Sequence, residues 1–261
     1  MSDKGLIITL IHGKITNNLS TIKIMSKYKR ILLKLSGEAL ATNSNTIDPD
    51  TLNQVVNIIK SALAKKVEVG IVVGGGNIFR GAALAEVGMN RVTGDHMGML
   101  ATVINALAIS DACKRVGIDA LVMSGFPIGG GVCDPVDHNK AKQALTEGKV
   151  VIFSAGTGSP CFTTDTGAVL RGIEIQADIV FKATKVDGVY TADPTKDPSA
   201  TRYKTLSFNE AIEKNLQIMD TAAFALCREH NLDICVFSML ENPNTLSDIL
   251  DGKPSGTIVS Q

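Results

Sequence analysis

The fold is decided by the stretch Arg30-Ile31-Leu32-Leu33-Lys34-Leu35-Ser36-Gly37-Glu38. Its apolar residues from Ile31 to Leu35 predict a strand buried on both faces, and Ser36-Gly37 ends that strand. Asp48-Pro49 then offers an N-cap and a first-turn proline, and apolar residues follow at helical spacing. A buried strand followed by a helix is the unit from which parallel sheets are built, so this stretch predicts an α/β protein.

Apolar runs and helical patterns alternate along the rest of the chain. Further strands are predicted at 67–73, 121–123, 150–153, 179–182, 234–237 and 257–259. Helices are predicted at 93–116, 138–146, 165–176, 209–215, 221–230 and 244–251, with a capping box at Ser207-Phe208-Asn209-Glu210. We expect Leu100, Val103, Ile104 and Leu107 on the inner face of the longest helix. The pattern predicts a three-layer α/β/α fold with a mostly parallel central sheet.

Length and composition fit one large domain or two closely joined halves. The chain has 261 residues, 44% of them hydrophobic, which is enough to bury a substantial core. We expect residues 27–261 to form that single domain. Residues 1–26 are polar, lack a clear helical or strand pattern and contain a second methionine, Met25. We therefore expect them to be an appendage outside the fold.

Charge and cysteine content disfavour several classes of protein. Lysine plus arginine equals aspartate plus glutamate at 26 each, without the basic excess of a nucleic-acid or anionic-membrane binder. Apolar runs stay below the roughly 18 residues that a membrane span requires. The five cysteines include no CxxC pair and the four histidines are far apart, which disfavours disulfide frameworks and metal centres. We expect the cysteines to be small buried thiols in a reducing cytosol.

Three glycine-rich segments follow predicted strands. They are Lys34-Leu35-Ser36-Gly37-Glu38, Gly74-Gly75-Gly76-Asn77-Ile78-Phe79-Arg80-Gly81 and Ser154-Ala155-Gly156-Thr157-Gly158-Ser159-Pro160. Glycines at a strand-to-helix junction let backbone N–H groups approach phosphate oxygens, and a helix N-terminus adds partial positive charge. One such loop is weak evidence because tight turns need glycine anyway. Three of them, with Lys34 and Arg80 nearby, favour a phosphate-rich ligand at the carboxyl ends of the strands.

Known nucleotide-binding motifs are missing from the sequence. It has no GxxxxGK[ST] motif, no GxGxxG after the first strand and no protein-kinase signature set. Phosphoryl transfer needs in-line positioning and neutralisation of negative charge. We expect Lys34 along the donor phosphates and Arg80 near the β- and γ-phosphates. Asp165 is expected to orient the lysines or to hold Mg²⁺ through water. Each also has an ordinary structural explanation, namely a strand-edge lysine, a surface ion pair and a helix N-cap.

The ordered blocks of sequence resemble one known family. These blocks are the glycine-rich segments above and two further stretches. The two stretches are Met89-Asn90-Arg91-Val92-Thr93-Gly94-Asp95-His96-Met97-Gly98-Met99-Leu100 and Lys182-Ala183-Thr184-Lys185-Val186-Asp187-Gly188-Val189-Tyr190-Thr191-Ala192-Asp193-Pro194. Together they closely resemble the bacterial UMP kinases (uridylate kinases), which have the amino-acid kinase fold. The resemblance spans about 28–259. It implies transfer of the γ-phosphate of ATP to UMP in pyrimidine nucleotide biosynthesis, on a fold that is not the P-loop fold.

The resemblance also implies site residues. Those expected at ATP are Lys34, Leu35, Ser36, Gly37, Gly76, Arg80, Thr184, Tyr190 and Asp193. Those expected at UMP are Gly75, Asp95, Thr157, Gly158, Ser159, Pro160, Cys161, Phe162, Thr163 and Thr164, with Asp95 reaching the ribose. Lys34, Arg80 and Asp165 are expected to be catalytic, and Lys182 to serve either packing or a salt bridge. The N-terminal half of the domain would then face mainly UMP and the C-terminal half mainly ATP.

Cofactor, partners and regulation follow from the same resemblance. It implies a cytoplasmic homohexamer built from dimers, which needs neither nucleic acid nor a membrane. It also implies Mg²⁺ held mainly by nucleotide phosphates, feedback inhibition by UTP and activation by GTP. Loop 41–47 carries less glycine than is expected near the GTP contacts, which leaves activation by GTP open.

Two other functions are compatible with parts of this pattern. An amino-acid kinase acting on carbamate, glutamate, acetylglutamate or aspartate would share the fold. The segments around Asp95 and 157–164 argue against that alternative. A nucleotide-binding sensor without turnover would be expected to lose Lys34, Arg80 or Asp165, and all three are present.

Overall fold

The computed structural model describes residues 26–79, 88–239, 242 and 244–261. Its strands are β1 (Arg30–Leu35), β2 (Glu68–Val73), β3 (Ala120–Ser124), β4 (Asp134–Pro135), β5 (Val150–Ser154), β6 (Ile179–Thr184), β7 (Thr205–Ser207), β8 (Asp233–Ser238) and β9 (Thr257–Ser260). Its α-helices are α1 (Pro49–Ala64), α2 (Arg91–Arg115), α3 (His138–Thr146), α4 (Thr164–Glu174), α5 (Phe208–Glu213), α6 (Thr221–His230) and α7 (Thr245–Leu250). A 3₁₀ turn covers Gly37–Leu40.

The strands form a single sheet with β1 near its centre. Their order is β4-β3-β5-β2-β1-β6-β8-β9-β7, and every pair is parallel except β8–β9. Asp48 caps α1 by accepting hydrogen bonds from the backbone of Asp50 and Thr51, with Pro49 in the first turn. The mostly parallel sheet predicted from the sequence is confirmed. The carboxyl ends of β1, β2, β5 and β6 therefore lie side by side at one edge, where ligands bind in such sheets.

Helices cover both faces of the sheet. One core contains Val55 and Ile59 of α1, Ile109 of α2 and side chains of α7. The other core, on the opposite face, contains Leu145 of α3, Val169 of α4 and side chains of α5 and α6. Strand side chains that alternate between the two cores explain why β1 and β2 are apolar almost throughout. The predicted three-layer α/β/α architecture is confirmed.

The predicted inner face of the longest helix is wrong. Val103 is buried, but Leu100, Ile104 and Leu107 are 49%, 50% and 37% exposed. Where α2 meets Gly75, its buried residues are instead small or polar, such as Ala101 and Thr102, because the chain approaches the helix closely there. A Cβ on Gly75 would lie 2.8 Å from Cβ of Ala101 and 2.7 Å from the carbonyl oxygen of Gly98. Large apolar side chains cannot fit there, so they project outward.

Helix α2 also passes a simple test for membrane-spanning segments among the described residues. An 18-residue window within it reaches a mean hydropathy of 1.2, and half of that window is buried in the fold. A core helix of this length and composition passes the same test, so the finding is weak evidence for a membrane span.

Smaller differences concern edges and caps. The sequence missed β4 and β7, which are too short to show periodicity. Only one half of the predicted capping box is seen: Ser207 accepts a hydrogen bond from Glu210 N, while the Glu210 carboxylate binds Lys214.

Three of the five cysteines are buried, namely Cys113, Cys227 and Cys235, and burial raises their pKa values to about 11, 12 and 12. The expectation of burial is wrong for two cysteines, because Cys133 is half-buried and Cys161 is exposed.

Candidate active site

Two lysines and one carboxylate meet at the carboxyl ends of β1 and β6. Nζ of Lys34 lies 2.9 Å from Oδ1 of Asp165, and Nζ of Lys182 lies 2.6 Å from Oδ2. All three side chains are only 12–14% exposed, so solvent screens these ion pairs little. The arrangement holds two positive charges next to one negative charge. Such a cluster can receive additional negative charge, as carried by phosphate groups.

The start of α4 places Asp165. Thr163 is the N-cap, and its hydroxyl oxygen accepts hydrogen bonds from the backbone N–H groups of Asp165 and Thr166. Asp165 is thus a first-turn residue and not the N-cap. The carboxylate of Asp220, at the N-cap of α6, accepts hydrogen bonds from the hydroxyls of Thr163 and Thr166. Asp220 therefore fixes the turn that carries Asp165.

The environments of Lys182 and Asp220 shift their pKa values. Burial lowers the pKa of Lys182, and the nearby Lys34 ammonium lowers it further, against the opposing effect of Asp165. Lys182 also donates a hydrogen bond to the carbonyl of Ile218. Burial alone would raise the pKa of Asp220, but hydrogen bonds from Thr163, the backbone of Ala223 and Thr166 outweigh it and lower the pKa.

A cavity of 350 Å³ opens between β2, α2 and the loop after β5. Seven residues predicted for UMP line it: Gly75, Asp95, Thr157, Ser159, Phe162, Thr163 and Thr164. Its remaining lining residues are Gly76, Phe79, Arg91, Gly94, Gly98, Met99, Thr102 and Gly156. Gly158, Pro160 and Cys161 belong to the same loop but do not line the cavity. We call this space the acceptor-side cavity.

Asp95 sits at the wall of the acceptor-side cavity. Nε of Arg91 lies 2.9 Å from both carboxylate oxygens of Asp95, and the backbone N–H of Cys161 donates to Oδ2 at 2.7 Å. Cys161 adopts a positive φ of 71°. Asp95 thus joins α2 to the loop after β5, which places its carboxylate where it can accept hydrogen bonds from hydroxyl groups of a bound ligand.

Two of the cavities lined by Lys182 are also lined by Thr184, at the end of β6. One, of 470 Å³, is lined by Lys34, Ser36, Glu38, Lys182, Thr184 and Lys185 with four apolar residues and Thr51. The second, of 580 Å³, is lined by Lys182, Thr184, Tyr190 and Asp193 and by the segment 215–218. Three lysines therefore line the first cavity, and both apolar and polar residues line the second. We call these two spaces together the donor-side cavities.

The structure brings together most of the residues predicted for the site. Lys34, Ser36, Thr184, Tyr190 and Asp193 line the donor-side cavities. Leu35 and Gly37 are buried beside them, and Gly76 lines the acceptor-side cavity instead. Arg80 lies outside the described residues, and so do residues 1–25 of the predicted appendage.

Sequence reasoning left Lys182 undecided and missed two other residues. Lys182 lines both donor-side cavities and pairs with Asp165. Arg171, buried in α4, donates to the carbonyl of Gly156 at 3.1 Å and so holds the loop after β5. Asp220 resembled an ordinary N-cap in the sequence. Its hydrogen bonds reach residues 54 and 57 positions earlier, which no local pattern indicates.

Among the residues that the structure describes, no group of three or more His, Cys, Asp or Glu side chains is placed to hold a metal ion. Both oxygens of Asp165 already face lysines. Mg²⁺ usually keeps several waters and binds through substrate phosphates, which this site permits.

Comparison with known proteins assigns the family. A sequence profile described as the amino acid kinase family matches residues 29–238, most of the chain. The chain belongs to the amino acid kinase family. It is 76% identical over 236 residues to a uridylate kinase of Ruthia magnifica subsp. Calyptogena magnifica, covering 90% of this chain and 99% of that protein. It is 54% identical over 235 residues to a uridylate kinase of Escherichia coli O1:K1 / APEC, covering 90% and 97%.

Solved structures agree with this assignment. The UMP kinase of Bacillus anthracis superposes with a TM-score of 0.86 at 38% identity, covering 89% of this chain and 96% of that one. The UMP kinase of Ureaplasma parvum gives 0.84 at 39% identity, covering 89% and 99%. This amino acid kinase is therefore an enzyme of the UMP kinase group, as the resemblance predicted.

Proposed function

We propose that this enzyme transfers the γ-phosphate of ATP to UMP, giving ADP and UDP. A phosphate oxygen of UMP forms a bond to the γ-phosphorus, and the bond from that phosphorus to the β–γ bridging oxygen breaks. ADP leaves with the electron pair of the broken bond. UMP occupies the acceptor-side cavity, and ATP occupies the donor-side cavities.

One observation carries this proposal. The Lys34–Asp165–Lys182 cluster lies at the edge of the sheet between the acceptor-side cavity and the donor-side cavities. Thr163 and Thr164, next to Asp165, line the first space, while Lys34 and Lys182 line the second. A phosphoryl group passing between the two cavities travels past both ammonium groups. They stabilise the charge that spreads over its oxygens in the transition state.

The site has the groups that such a transfer needs. The acceptor oxygen of UMP is already ionised at neutral pH, so no general base has to remove a proton. Asp165 orients both lysines, which keeps their charges fixed before the substrates bind. Lys185, the third lysine of the donor-side cavities, adds positive charge near the phosphates of ATP. Mg²⁺ bound to the ATP phosphates would neutralise further negative charge on them.

The exposed apolar side of α2 supports assembly of the enzyme from several copies. Leu100, Ile104 and Leu107 recur at helical spacing on one face, each at least 37% exposed. A contiguous exposed apolar face marks an interaction surface. We assign it to the pairing of two copies within a cytoplasmic homohexamer, in line with the resemblance to bacterial UMP kinases.

Regulation by nucleotides belongs to the same proposal. UTP carries the uridine that the acceptor-side cavity is proposed to recognise, which supports its role as an inhibitor. Activation by GTP stays a prediction, because loop 41–47 lacks glycine. That loop is closed by hydrogen bonds between Thr42 and Asn45 and from Asn45 to Asp48.

Identification of the labelled product tests the proposal. The purified enzyme would be incubated with Mg²⁺, UMP and ATP labelled with ³²P at the γ position, and the products separated. Label in UDP supports the proposed transfer. Label released only as inorganic phosphate, or none transferred, would exclude it.

A further inference from the structure

The turns that follow β1 and β2 touch one another without room for side chains. A Cβ on Gly37 would lie 2.7 Å from the carbonyl oxygen of Gly74 and 2.8 Å from the backbone nitrogen of Gly76. The N–H of Gly74 donates to the carbonyl of Leu35 at 2.9 Å. The first turn belongs to the donor side, while Gly75 and Gly76 line the acceptor-side cavity. Their contact therefore sets the distance between the two sides.

A reciprocal pair of amides fastens the second turn to α2. Nδ2 of Asn105 donates to Oδ1 of Asn77 at 2.7 Å, and Nδ2 of Asn77 donates to Oδ1 of Asn105 at 3.0 Å. Asn105 also donates to the carbonyl of Gly74 at 2.7 Å. Asn105 is completely buried in the middle of α2, where an apolar residue would ordinarily stand.

The same pair reaches a third segment. Nδ2 of Asn77 donates to the carbonyl of Thr46 at 2.8 Å, so loop 41–47 is tied to the second turn as well. Asn77 also lies against the first turn, because a Cβ on Gly37 would lie only 2.5 Å from Oδ1 of Asn77. Asn77 and Asn105 thus connect the turn of Gly74, Gly75 and Gly76 to α2 and to loop 41–47.

We propose that Asn77 and Asn105 are positioning residues for phosphoryl transfer, which hold the acceptor-side turn in register with the donor-side turn. The inference rests on the proposed function, because it assigns the two turns to the two nucleotides. Neither asparagine is assigned to touch a substrate. They act through Gly74, whose carbonyl accepts from Asn105, and through the adjoining Gly75 and Gly76, which line the acceptor-side cavity.

The chemistry explains why amides occupy these positions. A leucine at position 105 would fill a similar volume but would remove the donor on which the carbonyl of Gly74 and Oδ1 of Asn77 depend. In-line transfer depends strongly on alignment, and a displacement of about 1 Å costs on the order of 100-fold in rate. Loss of the amide pair would therefore reduce turnover more than it reduces the binding of either nucleotide.

The test compares Asn77→Ala, Asn105→Ala and the double variant with the wild-type enzyme. Ser110→Ala is the matched control, because Ser110 is also a buried polar residue of α2 but lies more than a turn beyond Asn105. For each protein, kcat is measured with saturating ATP and UMP, and Kd for UMP and for ADP by calorimetry. Circular dichroism checks that each variant is folded, and Asn77→Ala alone decides the test if variants at the buried Asn105 do not fold.

We expect each asparagine variant to lose about 10- to 100-fold in kcat while both Kd values stay within about threefold. The double variant should lose no more than the larger single loss, because the two residues act as a unit. Unchanged kcat in Asn77→Ala, or Kd values that rise as much as kcat falls, would overturn the inference. A wild-type enzyme that forms no UDP would instead overturn the proposed function.

Discussion

Lys34 and Lys182 are register partners on the adjacent parallel strands β1 and β6, and both side chains reach the same carboxylate. Two like charges at paired positions repel one another, and burial strengthens that repulsion. Asp165 offsets it from the start of α4. The strand pairing therefore builds the site as well as the fold, because it brings two ammonium groups to one point at the sheet edge.

Replacing Lys34 should remove one of these two charges from the transition state. We expect Lys34→Ala to lower kcat/KM by about 100- to 1,000-fold, as is typical for loss of one transition-state donor. The measurement is the steady-state rate of ADP formation with UMP as acceptor. Lys149→Ala is the control, because Lys149 is a more exposed lysine paired with Glu147 far from the site. A loss below threefold in Lys34→Ala would remove Lys34 from its proposed role.

Neutralising Asp165 should destabilise the enzyme as well as slow it. In Asp165→Asn, Lys34 and Lys182 would face each other without their shared counter-charge. We expect the free energy of unfolding to fall by up to about 3 kcal/mol, as found when one partner of a buried ion pair is removed. Urea denaturation measures this change. Equal stability of variant and wild type would contradict the electrostatic explanation.

The lowered pKa of Lys182 predicts that activity is lost at a lower alkaline pH than an ordinary lysine would allow. As the pH rises, Lys182 should lose its charge earlier than an ordinary lysine, and kcat/KM should fall with an apparent pKa below 10.5. Lys182→Arg, if it retains activity, should move this limit to higher pH because a guanidinium stays charged. The pH–rate profiles of the two proteins check this. Coincident alkaline limits would show that another group is responsible.

Stability should follow the opposite trend in the same pH window. Since the pKa of Lys182 is lower in the folded than in the unfolded chain, the unfolded state binds more protons between the two values. The contribution of Lys182 to the free energy of unfolding therefore rises with pH there, while activity falls. Comparing unfolding of wild type and Lys182→Met across this window isolates that contribution.

Asp220 should act on the site through the start of α4. In Asp220→Asn, the amide oxygen is a weaker acceptor for the hydroxyls of Thr163 and Thr166, so the turn that carries Asp165 loosens. We expect kcat to fall about tenfold or more, since misplacement of catalytic groups slows transfer steeply. Asp137→Asn is the control, since Asp137 is also an N-cap aspartate, at the start of α3, and is exposed. Unchanged kcat in Asp220→Asn would exclude the positioning role.

The acid side of the stability curve provides a second readout for Asp220. Its pKa is lower in the folded than in the unfolded chain. Its contribution to stability is therefore complete above the unfolded pKa of about 4 and is lost as the pH falls through the lower folded value. The stability difference between wild type and Asp220→Asn should shrink over that range in acid unfolding experiments.

The fold was largely predictable because the central strands β1, β2 and β5 are almost entirely apolar and each is followed by a glycine-containing segment. The helix α2 shows where this reasoning fails. It is apolar on several sides, and periodicity assigned Leu100 and Ile104 to the core because they are large. The core instead accepts small residues there, since Gly75 and α2 are in close contact. Hydrophobic periodicity does not predict where two backbone segments pack closely against each other.

The site was predictable only in part for a related reason. Lys34 lies near the end of a buried strand and Asp165 in the first turn of a helix, so local patterns indicate where each side chain lies. Asn105 and Asp220 matter through partners 28 to 57 positions away in sequence. Asn105 lies in the middle of an apolar helix and Asp220 at an ordinary cap. Nothing local distinguishes them from structural residues, and only the assembled sheet edge shows what they contact.

The exposed face of α2 predicts how the enzyme assembles. Ile104→Glu places a charge at the centre of this face, and we expect it to shift the enzyme toward smaller species. Analytical ultracentrifugation of wild type and variant measures the change. Ile212→Glu is the matched control, because Ile212 is an equally exposed isoleucine on a different helix, α5. Identical sedimentation of Ile104→Glu and wild type would place the subunit contacts elsewhere.

The central claim is that the Lys34–Asp165–Lys182 cluster serves transfer from ATP to UMP. The most direct test is the rate of ADP release from ATP and Mg²⁺ with UMP, CMP, dTMP, carbamate or acetylglutamate offered separately. The proposed function predicts turnover with UMP well above that with every other acceptor. Turnover with carbamate or acetylglutamate instead would keep the fold and overturn the assignment of the acceptor-side cavity. No turnover with any acceptor would contradict catalysis itself and favour a nucleotide sensor.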